Sequence, residues 1–236
     1  MALPPFRPLT SWSYSRYSLY KQCPLKFYLS VIKKLPEPKG TALQRGVDVH
    51  NAVDAYLKGV TAKMPAELAT FSVEAKRLRA KRKKDPDSMI IEDNWAFTKD
   101  WGPSRWDDWN NCYLRVKVDV AERTGNHIQL TDWKTGKYRP DNHADYVEQL
   151  ELYQASTLTV FAHVPDLRVT ARLLYLDADK IHPTETEVTQ ADLPRLQKLW
   201  STRVKPMFAD KRFAPRPNQF CRFCHFRKDN AGPCKY

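Results

Sequence analysis

Between residues 112 and 134 the chain alternates in a way that predicts two paired strands. Val116, Val118 and Val120 interleave with Lys117 and Asp119, a turn at Thr124-Gly125-Asn126 follows, and HIQLTDWK leads back, so the segment reads as a hairpin. Helical spacing dominates elsewhere. Over 42–58, Val49, Ala52, Val53 and Tyr56 recur on one face and leave His50 and Asp54 one turn apart beside it. Residues 146–161 place Gln149 and Tyr153 at i, i+4, and helices are also expected over 66–84 and from Ala191 to about Met207. Ser15 is expected to cap a short helix running to Gln22, and Cys23-Pro24 to start another. Further strands are expected over 89–98, 168–177 and 180–189, with WGPSRWDDWN as a loop. Strands and helices mix without a strict βαβ repeat, which predicts an α/β (α+β mixed) fold with a central mixed sheet flanked by helices, as one domain over 1–236.

Composition adds a partner class. Among 236 residues, 39 Lys and Arg face 27 Asp and Glu, a formal net charge of +12, which favours a polyanion such as nucleic acid. No apolar run of 18 residues occurs and the first residues lack a signal-peptide core, so the expectation is a soluble intracellular protein without membrane contact. In KRLRAKRKK (76–84) seven of nine residues are basic, which fits either a solvated helix end or a phosphate-contacting surface. Trp101, Trp106 and Trp109 fit either loop packing or stacking on bases.

The hairpin also carries the candidate chemistry. Asp119 lies on one strand, and Asp132 and Lys134, two apart, face one side of the other. Two carboxylates and an ammonium at neighbouring strand ends suit a metal-dependent phosphodiester hydrolase, because the carboxylates hold a hard cation and the lysine assists the attacking water. Five cysteines stand at 23, 112, 221, 224 and 234. In a reducing compartment the C-terminal group suits a metal better than disulfides. Cys221-x-x-Cys224 fits zinc, with His225 beside it, or an iron-sulfur cluster, whereas Cys112 in an apolar strand reads as a buried free thiol.

Taken together, His50 on a helix, Asp119 on a strand, Asp132-Trp133-Lys134 within DWKTGK, and Gln149-x-x-x-Tyr153 resemble the RecB-type branch of the PD-(D/E)XK nuclease superfamily. The resemblance runs in outline from 14 to 234 and is most specific over 119–153. It extends to Cys23 in CPLKFYL and to Cys221, Cys224 and Cys234, since some members carry one N-terminal and three C-terminal cysteines around a 4Fe-4S cluster. The resemblance implies a restriction-endonuclease-like core and an Mg²⁺- or Mn²⁺-dependent deoxyribonuclease. His50, Asp119, Asp132 and the Trp133 backbone carbonyl would ligate the ion, Lys134 would act on water and phosphate, and Gln149 and Tyr153 would orient them. Cys23, Cys221, Cys224 and Cys234 would hold a 4Fe-4S cluster, with Zn²⁺ as the alternative, and would clamp the chain ends. Nine residues separate Cys224 from Cys234, more than in the iron-sulfur relatives.

The implied activity is an exonuclease on DNA ends or single strands that leaves a 5′-phosphate and a 3′-hydroxyl. The alternative is a catalytically inactive nucleic-acid-binding subunit of a recombination, repair or CRISPR complex. No G-x-x-x-x-G-K-[ST] motif occurs, so any strand separation would come from a helicase or recombination partner.

Overall fold

The computed structural model describes residues 9–38, 40–178 and 185–236. Ser13, not the expected Ser15, caps helix α1 (Tyr14–Gln22): its backbone is extended and its hydroxyl accepts the Arg16 N–H. Pro24 opens α2 (Pro24–Phe27) at a position where its missing N–H would lack a partner anyway, and the helix widens into a π turn over Tyr28–Ile32. Helix α3 spans Thr41–Leu57. The single helix expected over 66–84 is two pieces, a 3₁₀ segment Ala66–Phe71 and α4 (Ser72–Lys84). Leu68 and Phe71, three apart, are both buried, and the tighter turn stacks them on the same side.

Six strands form one sheet in the order β2 (Pro103–Ser104), β1 (Met89–Phe97), β3 (Leu114–Thr124), β4 (His127–Lys134), β5 (Arg168–Tyr175), β6 (Glu185–Thr189). Thr124 pairs with His127, and Gly125 between them takes φ +61, the left-handed value the tight hairpin turn requires. All neighbours are antiparallel except β4 and β5, which helix α5 (Pro140–Val160) connects. Helix α5 begins six residues before the expected start, because Arg139 is extended and Pro140 presets the first turn. Of the strand expected over 180–189, residues 180–184 lie outside the described residues and 185–189 form β6. Helix α6 (Leu193–Ala209) closes the body.

The sheet separates two cores. On one side Val116, Val118, Ile128, Leu130 and Val169 pack with α1, α5 and α6 around Trp12 and Trp200, whose rings stack at 5.7 Å. On the other, Met89, Ile91, Val120 and Trp133 pack against α3, α4 and the 3₁₀ segment. In β3, Val118 belongs to the first core and Val120 to the second, so the alternation changes face at Asp119. Strand β1 changes face at the same level. Trp95 lies in the first core and Ile91 in the second, and Glu92, opposite Asp119, adopts φ +52. The two strands invert together and keep their register: Ile91 pairs with Val120 and Asp93 with Val118. Among the described residues no helix is long and apolar enough to cross a membrane.

Candidate active site

Strands β3 and β4 pair from Thr124–His127 up to Val120–Thr131 and then part. Asp119 and Asp132 stand at the first unpaired level. The Trp133 N–H, deprived of a β3 carbonyl, donates to Asp119 Oδ2 at 2.9 Å instead. Both carboxylates are thus held at the mouth of a wedge between strands, with Asp119 9% and Asp132 3% exposed.

Helix α3 brings His50 over this point. Its Nδ1 lies 3.4 Å from Asp119 Oδ1 and 3.6 Å from Glu92 Oε1. Glu92 also forms an ion pair with Lys117. Donor atoms of His50, Glu92 and Asp119 all lie within 4.8 Å of one another. Burial alone would lower the His50 pKa, but hydrogen bonds to Asp119 and Glu92 outweigh it and raise the imidazole to about 10 in the metal-free site. Burial raises the Asp132 carboxyl above its usual range, against the lowering pull of Lys134.

Lys134, on the same face of β4, sets its Nζ 2.6 Å from Asp132 Oδ2 and donates to Gln149 Oε1 at 2.8 Å. Gln149 Nε2 in turn donates to the Tyr153 hydroxyl at 2.5 Å, one helical turn along α5. The ring of Tyr146 lies 4.6 Å from the ammonium. A chain of contacts therefore runs Tyr153, Gln149, Lys134, Asp132 and fixes the lysine beside the carboxylate.

The residues picked from sequence converge: His50, Asp119, Asp132, Trp133, Lys134, Gln149 and Tyr153 surround one wedge. Asp54, one turn from His50, turns to Lys58 at 2.7 Å. Glu92 escaped the sequence reading. The only signal was the polar run Glu92-Asp93-Asn94 breaking the apolar strand, and the left-handed backbone of Glu92 is not legible from residue type. In the basic run on α4 two of the seven charges are paired, Arg77 with Glu74 and Glu122 and Lys81 with Glu122, while Arg79 and Arg82 donate to backbone carbonyls. Trp101 is buried, whereas Trp106 and Trp109 are exposed and flank the Arg115 guanidinium.

The model of the PD-(D/E)XK nuclease superfamily matches residues 11–228. The chain belongs to this superfamily. Its overall shape is similar to the crystal structure of SSO0001 (TM-score 0.46, 15% identity, covering 99% of this chain and 91% of that one). It is also similar to a candidate exonuclease from Eubacterium rectale (TM-score 0.46, 12% identity, 94% and 87%). No curated protein matches it.

A PD-(D/E)XK nuclease works with a divalent cation, and the donors present fit one. His50, Glu92 and Asp119 supply an imidazole and two carboxylates suited to Mg²⁺ or Mn²⁺, while Asp132 lies outside this group with its Oδ2 against Lys134. A cation there would supply Lewis-acid polarisation of the phosphate and acidification of water.

Away from these carboxylates, Cys23, Cys221, Cys224 and Cys234 line a separate cavity together with Leu25, Leu29 and Phe226. The Arg216 and Asn218 N–H groups donate to the Cys23 and Cys221 sulfurs at 3.5 and 3.3 Å. His225 is not among the lining residues and packs its ring on Phe226. The residues added between Cys224 and Cys234 are taken up by a 3₁₀ turn, Lys228–Asn230, and a left-handed Ala231, after which Cys234 bridges back to Arg227. Cys112 is buried, with its thiol against the Leu114 carbonyl.

Proposed function

We propose that this superfamily member is an active Mg²⁺- or Mn²⁺-dependent deoxyribonuclease that trims single-stranded or free DNA ends and leaves 5′-phosphates. The observation that carries the reading is the placement of Lys134 between Asp132 and Gln149 at the point where β3 and β4 separate. An inactive binding subunit would have no use for this arrangement. Lys134 would hold the attacking water by hydrogen bonding and stabilise the charge that builds on the pentacovalent phosphate. Asp119, Asp132, His50 and the Trp133 carbonyl would hold the cation, and Gln149 and Tyr153 would keep the ammonium aimed.

The cysteine cavity is read as the seat of a 4Fe-4S cluster that braces both chain ends. Cys23 joins Cys221, Cys224 and Cys234 on the lining of one cavity, which supports a centre with four thiolate ligands. Lys26, Arg216 and Arg227 around the cavity suit its negative charge.

The deciding experiment compares wild type with Asp132→Ala and Lys134→Ala on end-labelled single- and double-stranded DNA in Mg²⁺, Mn²⁺ or EDTA. Metal-dependent shortening by wild type alone supports the reading. Inactivity of wild type on every substrate, or normal cleavage by both variants, overturns it.

A further inference from the structure

The wedge between β3 and β4 continues into a cleft of about 630 Å³ that runs from Gln149 and Tyr153 to Arg16 and Arg115. It exists because the segment before α1 fills the place β4 has vacated. Trp12 pairs with Leu114 as a parallel bridge, its N–H donating to the Tyr113 carbonyl and its own carbonyl accepting from Arg115. That pairing sets α1, and Arg16 on it, against the far end of the cleft.

Two guanidinium groups meet there with only neutral partners. Arg16 Nη1 donates to the carbonyl and hydroxyl of Ser11, and Arg115 Nη1 to the same hydroxyl at 2.7 Å. Arg115 Nε donates to the Trp106 carbonyl. Among the described residues neither arginine forms an ion pair. Arg115 is 9% exposed, and its buried Nη2 has no hydrogen-bond partner. Burial, then the nearby Arg115 charge, lowers the pKa of Arg16. A buried Arg115 and a half-buried Arg16 that share one serine and leave a guanidinium nitrogen unpaired are costly unless an anion completes the set. Trp106 and Trp109 hold the Arg115 plane from the side, at 5.8 and 4.8 Å to its central carbon.

We propose that Arg16 and Arg115 form a phosphate-binding site for the substrate strand, distinct from the cleavage site and joined to it by this cleft. The assignment rests on the nuclease reading above and adds where the strand lies. Arg115 precedes Asp119 by four residues on β3, roughly 13 Å at ~3.3 Å per residue. A stacked single strand covers that distance in about four nucleotides, and a stretched one in fewer. Trp106, lining the cleft and 40% exposed, offers a face on which an intervening base can stack. The anchored phosphate is either an internal phosphodiester or a terminal phosphate, and the test separates these.

The probe is 3′-fluorescein-labelled oligo(dT), with a 5′-hydroxyl or a 5′-phosphate, bound in EDTA and followed by anisotropy over a series of NaCl concentrations. Arg16→Gln and Arg115→Gln are each expected to weaken binding roughly three- to tenfold and to lower the salt slope by about 1. A 5′-phosphate that strengthens binding by wild type but not by the variants places the terminal phosphate in the site. Equal loss on both probes places an internal phosphodiester there. Should Arg115→Gln fail to fold, Arg16→Gln decides, because its side chain lies on a surface helix and its loss leaves the Ser11–Arg115 contact in place. Wild-type affinity and salt slope in folded Arg16→Gln overturn the site. Binding without cleavage would sink the nuclease reading and leave this one standing, whereas cleavage with unaltered binding by the variants would do the reverse.

Discussion

Asp119 Oδ2 accepts the Trp133 N–H at 2.9 Å across the gap where β3 and β4 cease to pair. The carboxylate therefore replaces a missing ladder carbonyl as well as facing His50 with its other oxygen. The two roles separate by substitution. Asp119→Asn retains an acceptor for Trp133 and is expected to melt within a few degrees of wild type. Asp119→Ala strands a buried N–H and is expected to lose about 1–3 kcal/mol. Both are expected to lose cleavage by 10² or more, on the order seen when electrostatic groups are removed from such sites. Urea denaturation and a Mn²⁺-dependent cleavage assay on the same preparations check this. Full activity in Asp119→Asn would show that the carboxylate serves only the strand.

His50 gives the site a pH signature. Burial works against its charge, but the hydrogen bonds it donates to Asp119 and Glu92 prevail and hold the imidazole at about 10, above its ordinary 6.5. A raised histidine contributes stability that is complete below about 6.5 and is lost as pH climbs through 10. Metal-free protein is thus expected to lose melting temperature over that interval, and His50→Gln to lose less. A cation can use the imidazole only after the proton leaves, so Mn²⁺ affinity should rise by up to about tenfold per pH unit between 7 and 9. Calorimetry in buffers of different ionisation enthalpy measures the released proton. Mn²⁺ binding that is flat with pH would remove His50 from the ligand set.

How much of this was legible in the residues varies with the kind of interaction. Periodicity located β3, β4, α3 and α5, because each buries one face and polar side chains mark the other. It put Asp119, Asp132 and Lys134 on one hairpin, and the resemblance to the RecB-type branch joined His50, Gln149 and Tyr153 to them. Glu92 was hidden because its reach depends on a left-handed backbone and on the joint change of face in β1 and β3, neither of which residue type encodes. Composition left the run 76–84 open between a solvated helix end and a phosphate-contacting surface, and it could not show that Arg77 and Lys81 have partners in Glu74, one turn back on the helix, and Glu122, on another strand. Arg16 and Arg115 lie far apart in sequence and meet only through the Trp12–Leu114 bridge.

The ion pairs of Arg77 have their own consequence on the acid side. Glu74 joins α4 to the sheet through Arg77 and Arg172, and these hydrogen bonds, Arg77 foremost, pull its pKa to about 2 despite burial. A depressed carboxylate contributes stability that is present above its ordinary 4.5 and lost as pH falls toward 2. The contribution is about 1–2 kcal/mol, less than the full shift because Arg77 is half-exposed and screened by salt. Glu74→Gln is expected to lower stability at pH 7 by that amount and to flatten the decline between pH 5 and 2. Parallel wild-type and variant curves across that range would show that the pair contributes nothing.

Cys234 depends on a glycine. A Cβ added to Gly232 would stand 2.3 Å from the Phe226 carbonyl carbon and oxygen, which are backbone atoms that have no rotamer to escape into. That close approach lets the chain double back so that the Cys234 N–H reaches the Phe226 carbonyl at 2.9 Å and its sulfur joins the cavity. Gly232→Ala should push the last residues outward, leaving Cys23, Cys221 and Cys224 with one ligand short. Anaerobically purified wild type is expected to be brown and to contain iron and acid-labile sulfide. Gly232→Ala and Cys221→Ala are expected to lose most of both and to melt several degrees lower, since a centre joining residue 23 to 234 closes nearly the whole chain into one loop. Lys134→Ala, which does not line the cavity, should keep its full complement. Zinc without sulfide in wild type would replace the cluster with a thiolate site, and undiminished iron in Gly232→Ala would remove Cys234 from the ligands.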